Sequence, residues 1–126
     1  VLTARAENHL RGNPDLDDTI RRLQAFERAG ADVLYAPGLR TLEEIRTVCK
    51  AVTQPVNVLA VPALTFADLT GAGARRISVG GALTWSAVGA LTAAAEAIRD
   101  RGDFTGLGAR PPLGDWFSRT DSGTDS

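Results

Sequence analysis

Arg5 is the side chain in this sequence best suited to hold an anionic substrate. A guanidinium presents a planar fork of N–H donors that matches a carboxylate or a phosphate. It follows Val1-Leu2-Thr3-Ala4, a run short and apolar enough for a buried strand, at the point where the chain would emerge from it. The competing role is a structural ion pair with Glu7 or a neighbouring loop. Glu7 and Asp32 could each act as a general base, but no spacing rule gives either carboxylate a partner. Asn57 stands between Val56 and Val58, an amide inside an apolar run. A buried amide needs hydrogen-bond partners, so it either bonds neighbouring strands or faces substrate.

Weaker signals accompany these four. Asn8, Pro37 and Gly38 fall in loops after strand-like runs, and Ser78 with Gly80-Gly81 could offer backbone N–H groups to a phosphate at a helix start. Glycine there also permits close strand–helix packing. His9, the one histidine, has no Cys, Asp or His at metal-ligand spacing and reads as structural or solvated. Cys49 lies beside an apolar helical stripe and reads as a buried structural thiol. Trp85 and Trp116 read as packing residues.

The elements that must position these residues alternate strand and helix four times. Asp15, Asp17 and Asp18 open a first helix whose apolar stripe is Leu16, Ile20, Leu23 and Phe26, and Gly30 sits where a left-handed cap is expected. A second strand spans 32–37, and Thr41 with Glu44 has capping-box spacing ahead of Leu42, Ile45, Val48 and Val52. A third strand covers 56–60, and Thr65 with Asp68 caps a short helix to about Thr70. A fourth strand, 76–79, leads through Gly80-Gly81 to a helix over 85–101 with Val88, Leu91, Ala95 and Ile98 on one face. Short connections between such units require parallel strands and right-handed crossovers. Half of an eight-stranded barrel and a small open sheet both satisfy this. The open sheet normally carries a fifth strand, and none follows Arg101, so the half-barrel is expected.

Composition narrows the class further. The chain has 126 residues, 44% hydrophobic and 23% charged, the proportions of a soluble globular domain. A net charge of -1 gives no reason to expect nucleic acid or an anionic membrane as partner. No apolar run is long enough to span a bilayer, and one cysteine fits a cytoplasmic location. The sequence begins at Val1 and contains no methionine, so a further N-terminal portion is expected. Residues 1–102 are expected to form the half-barrel, 103–118 a helical or loop extension, and 119–126 a disordered tail.

Taken in order, several segments resemble the second half of the isocitrate lyase/phosphoenolpyruvate mutase superfamily. They are Thr3-Ala4-Arg5-Ala6-Glu7-Asn8, Leu16 through Arg22, Ala29-Gly30-Ala31-Asp32-Val33-Leu34, Ala36-Pro37-Gly38-Leu39, Pro55-Val56-Asn57-Val58 and Arg75 through Gly81. The resemblance covers roughly residues 1–102 and implies four βα units forming the C-terminal half of a TIM (β/α)8 barrel. It implies a Mg²⁺-dependent enzyme that makes or breaks C–C or C–P bonds of small α-keto or hydroxy acids through an enolate-like intermediate. By the same resemblance Arg5 contacts the carboxylate substrate as the catalytic arginine, with Glu7 and Asn57 in the binding set.

The resemblance places the acidic Mg²⁺ ligands and the lyases' catalytic cysteine in an N-terminal half-barrel, so Cys49 is not that cysteine and no metal ligand is expected in this chain. Lyases carry their asparagine slightly later, near Leu59, and a glutamate where this chain has Pro37-Gly38. That points to a mutase-like or hydrolase-like branch. The family forms homo-oligomers, commonly tetramers, in which the last helical segment docks on a neighbour. Phe104, Leu107, Leu113, Trp116 and Phe117 would suit such docking or would fold back on their own barrel. Two other functions remain open: a non-catalytic half-barrel that binds through its strand edges, and an open-sheet domain taking a phosphorylated ligand at Gly80-Gly81.

Overall fold

The helices begin where their first turns are capped. Asp15 accepts the N–H of Asp18 (3.0 Å) and opens α1, Leu16–Arg28. Thr41 and Glu44 exchange bonds as a capping box at α2, Leu42–Ala51, and Thr65 and Asp68 do the same at α3, Phe66–Gly71. Beyond α1 the chain turns through Gly30 at φ 95°, a left-handed geometry that a side chain would strain. The computed structural model describes residues 1–108.

Between these helices lie β1 (Thr3–Arg5), β2 (Val33–Tyr35), β3 (Val56–Leu59) and β4 (Arg76–Ser78). All pairings are parallel and the sheet order is β1-β2-β3-β4. Each crossover therefore steps one strand in the same direction. A doubly wound open sheet reverses direction partway, whereas a barrel does not. The architecture is that of four βα units from one half of a (β/α)8 barrel, and the open-sheet alternative falls with it.

One face of this sheet carries the core. Leu34, Val56 and Val58 pack with Leu23, Ile45, Val48 and Leu69 from the three helices, all buried. Each such aliphatic side chain contributes about 1.5–3 kcal/mol by leaving water. The loop between α2 and β3 is tied to α1 by one carboxylate: Glu27 Oε1 accepts the Thr53 N–H (2.8 Å), the Thr53 hydroxyl (2.6 Å) and the Gln54 N–H (2.7 Å).

β1 lies later than the sequence suggests. Asp32 Oδ2 accepts the Leu2 N–H at 2.6 Å and the Leu2 carbonyl accepts from Asp32 and Val33, which leaves Val1 and Leu2 exposed. The ladder then runs Thr3↔Val33, Ala4↔Leu34, Arg5↔Tyr35, so Arg5 is the last strand residue rather than the first loop residue.

Contacts divide the chain after Gly80. The second unit, taken by itself, is α4 (Ala82–Arg101) and a 3-10 turn at Thr105–Gly108. The helix starts three residues before the expected Trp85 and ends at Gly102, in left-handed conformation at φ 62°. None of its residues is buried, and Trp85, read from sequence as packing, is 73% exposed. Leu83, Val88 and Leu91 are exposed as well, as are Phe104 and Leu107. Leu113, Trp116, Phe117 and the expected tail 119–126 lie outside the described residues. No helix among the described residues is long and apolar enough to cross a membrane.

Candidate functional site

Side chains alternate faces along a strand, so the residues between the core positions point to the face away from α1–α3. The register aligns four of them across the sheet: Arg5, Tyr35, Asn57 and Arg76 occupy one row. Together with Thr3, Leu59, Ser78 and Gly80 they line a hollow of about 370 Å³. In a closed barrel this face is the interior. Among the described residues the lining holds two guanidinium groups and no carboxylate, so it favours anions.

Arg5 is held from two sides. Its Nη2 lies 2.7 Å from Glu7 Oε1, and its guanidinium carbon lies 5.1 Å from the centre of the Tyr35 ring. The ion pair foreseen as the structural alternative is therefore present. An Arg has five N–H donors, so one such contact leaves others for a ligand. The pair is half-exposed, which makes its worth to stability small. Its consequence is orientation: Glu7 and the Tyr35 face fix the plane of the guanidinium at the C-terminal end of β1. Glu7 also lies 3.8 Å from Arg11 on the 3-10 turn His9–Arg11. Through Oε1, Glu7 braces the Arg5 guanidinium.

Asn57 is 4% exposed, as an amide inside a buried strand should be. Its Nδ2 donates to Ser78 Oγ at 3.1 Å, one strand over, and the Ser78 hydroxyl faces the Val58 carbonyl at 3.5 Å. Its Oδ1 is buried and has no donor partner among the described residues. Asn57 thus bonds the neighbouring strand, one of its two sequence readings, and it lines the hollow.

Other candidates fall elsewhere. Asp32 sits before β2, bound to Leu2 and 3.9 Å from the terminal amine, at the end of the sheet opposite Arg5; it is no base for this hollow. Asn8 is 7% exposed and fastens the loop after β1 to α1, its Nδ2 donating to Thr19 Oγ1 (2.6 Å), Asn13 O and Asp15 O (both 3.2 Å). His9 packs against the turn at Gly38, where a Cβ would come within 2.8 Å of the histidine Cβ, and φ there is 104°. The backbone N–H of Arg40, followed by that of Thr41, holds the Glu44 carboxyl below its ordinary range, with a smaller contribution from His9. Pro37 and Gly38 line no part of the hollow.

Cys49 is half-buried, and burial pushes its thiol upward, away from the reactive thiolate. It borders a second hollow of about 420 Å³ beside Pro55, Val56 and Arg75. That is the N-terminal end of the strands, whereas barrel chemistry belongs to the C-terminal end.

Arg76 is a residue of the hollow that sequence reading did not single out. It was assigned to a strand but not to a face, because its row is set by pairing with Asn57. The signal available was its two-residue spacing from Ser78, which puts both on one side.

Mg²⁺ is bound through oxygen ligands, typically one or two carboxylates. The hollow is lined by none, and no group of three His, Cys, Asp or Glu among the described residues could hold a metal ion. These residues do not fit the ion.

Comparison with known proteins defines the class first: a (β/α)8-barrel fold of which this chain forms the C-terminal half. Residues 1–99 match the family described as phosphoenolpyruvate phosphomutase, and the chain belongs to that family, within the phosphoenolpyruvate mutase/isocitrate lyase superfamily. A Burkholderia cenocepacia J2315 protein, provisionally described as a lyase/mutase, superimposes with TM-score 0.85 at 47% identity, over 98% of this chain and 45% of that one. An uncharacterised Mycobacterium tuberculosis H37Rv protein is 34% identical over 100 residues, 79% of this chain and 39% of its own. An oxaloacetate decarboxylase of Rhodopseudomonas palustris BisB5 is 37% identical over 87 residues, 68% of this chain and 30% of its own. The chain spans less than half the length of each of these relatives.

Proposed function

We propose that these four units supply the anion-binding wall of an enzyme that makes or breaks a C–C or C–P bond in a small α-keto or hydroxy acid. The observation that carries the reading is Arg5, presented at the C-terminal end of β1, stacked on Tyr35 and braced by Glu7 over a hollow lined by no carboxylate. Its role is to hold the substrate carboxylate and to stabilise negative charge that develops beside it as the bond breaks. Glu7 and Tyr35 keep the guanidinium in place, and Asn57 orients the ligand from the middle of the row. Kinship to a protein described as a lyase/mutase and to an oxaloacetate decarboxylase supports the reaction class. The greater length of the relatives supports a working protein in which further βα units close the barrel. Mg²⁺ would need its carboxylate ligands from those units, and no step of this reading runs through it. The exposed Leu83, Trp85, Val88 and Leu91 of α4 suit burial against a second subunit in a dimer or tetramer.

The test is Arg5→Ala in the full-length protein, assayed for turnover of oxaloacetate and other small keto and hydroxy acids. Losing a charge-assisted contact to the substrate is expected to lower kcat/KM about 10- to 100-fold, or more if it strengthens in the transition state, with Tm within about 2 °C. Turnover equal to the parent would remove Arg5 from the site and leave the non-catalytic half-barrel as the better account.

A further inference from the structure

Resting on the function proposed above, we infer that Ser78 is a further ligand contact of the hollow. Its hydroxyl donates to an acceptor oxygen of the ligand other than the carboxylate held by Arg5, and Asn57 is the positioning residue that keeps the hydroxyl free to do so. Ser78 is the last residue of β4, as Arg5 is the last of β1, and both line the hollow. Groups that meet a ligand in a barrel of this kind stand at such C-terminal strand ends.

The neighbouring amide sets the hydrogen-bond directions around this hydroxyl. Asn57 Nδ2 donates to Ser78 Oγ at 3.1 Å. An amide nitrogen can only donate, so the serine oxygen accepts and its own hydrogen must point elsewhere. The protein acceptor within reach is the Val58 carbonyl at 3.5 Å. A good O–H···O bond is about 2.7–2.8 Å long, so that hydrogen is scarcely engaged. An amide placed for structure alone would have both its ends satisfied. Asn57 is 4% exposed, yet its Oδ1 has no donor among the described residues. Leaving a buried acceptor bare is unfavourable, and the nitrogen stays on Ser78 nonetheless. In a chain running from amide to hydroxyl to ligand, each bond polarises the next and makes the hydroxyl a stronger donor. Asn57 thus orients the ligand through Ser78. The consequence is selectivity for a small acid that carries an oxygen acceptor beside its carboxylate, such as a 2-oxo group, over the unsubstituted acid.

The experiment measures binding of pyruvate and of propionate, monoanions equal in carbon number with and without an oxo oxygen, to the full-length protein and its variants. The parent should prefer pyruvate. Ser78→Ala should weaken pyruvate about three- to tenfold, the size of one neutral hydrogen bond, and leave propionate within about twofold. Ser78→Thr, which keeps the hydroxyl, should retain most of the preference. Asn57→Asp replaces the donor by a carboxylate that captures the Ser78 hydrogen, so the preference should fall as it does in Ser78→Ala although the hydroxyl is still present. A parent with no preference between the two acids overturns the inference, and that measurement needs no variant to fold. An Asn57→Asp protein that loses thermal stability but keeps the preference overturns the positioning role, because the amide then serves the sheet alone. Arg5→Gln separates the two levels. If Arg5→Gln weakens both acids while Ser78→Ala keeps the parent's preference, only the present inference fails. If Arg5→Gln changes neither acid, the function proposed above fails with it.

Discussion

On the side of the sheet facing α1–α3, Leu34, Val56 and Val58 pack against helix residues and exclude water; one position along each strand, Arg5, Tyr35, Asn57 and Arg76 face a polar hollow. The same short strands therefore serve two purposes by alternation alone. Changes in volume should therefore cost most on the core face, and changes in charge or donor geometry most on the hollow face. Stability and ligand recognition should then be separable by which neighbour along a strand is altered.

The largest effect should come from the core face. Leu34→Ala removes a fully buried side chain in β2 and is expected to cost about 2–5 kcal/mol of stability, read by denaturant unfolding. Its neighbour Tyr35 provides the contrast. Tyr35→Leu keeps bulk but removes the ring face beneath Arg5, and a cation–π contact at an exposed site is worth about 0.5–1 kcal/mol. KM should rise about two- to fivefold with kcat little changed, and Tyr35→Phe should restore the parent value. An equal loss in both variants would show that the hydroxyl, rather than the ring, matters.

The smallest effect tests the clasp behind the core. Hydrogen bonds from the Thr53 hydroxyl and then from the Gln54 and Thr53 N–H groups hold the Glu27 carboxyl below its ordinary 4.5. A carboxyl lowered on folding adds stability that is present above its unfolded value and lost as pH falls through its folded value. Unfolding midpoints should therefore decline as pH falls below about 4.5, and Glu27→Gln should flatten part of that decline while Arg5-dependent binding at neutral pH is unaffected. A profile identical in Glu27→Gln and parent would remove the clasp from the account.

What was legible in the sequence was what is local. The capping boxes at Thr41–Glu44 and Thr65–Asp68 and the turn at Gly30 span three or four residues, and each forms as its spacing implies. The order of strands and helices followed from the same punctuation. The row containing Arg76 was not legible, because it depends on three inter-strand registers that no short window contains. Asp32 was misread for a related reason. Its type suggested chemistry, while its position before β2, at the far end of the sheet, assigns it to Leu2. Trp85 was read as a packing residue and is exposed, because burial depends on what lies opposite rather than on the residue itself.

The fastening at Asn8 extends the map of sensitive positions beyond the hollow. One amide nitrogen serves three oxygens on the loop and on α1, and that loop carries Glu7, the brace of Arg5. Replacing Asn8 with Asp changes almost no volume but turns the donor into an acceptor facing those oxygens. Under the function proposed above, inherited variation at this position would surface as altered ligand preference, in a residue that does not line the hollow. Selectivity would thus drift through the scaffolding while every side chain lining the hollow stays the same.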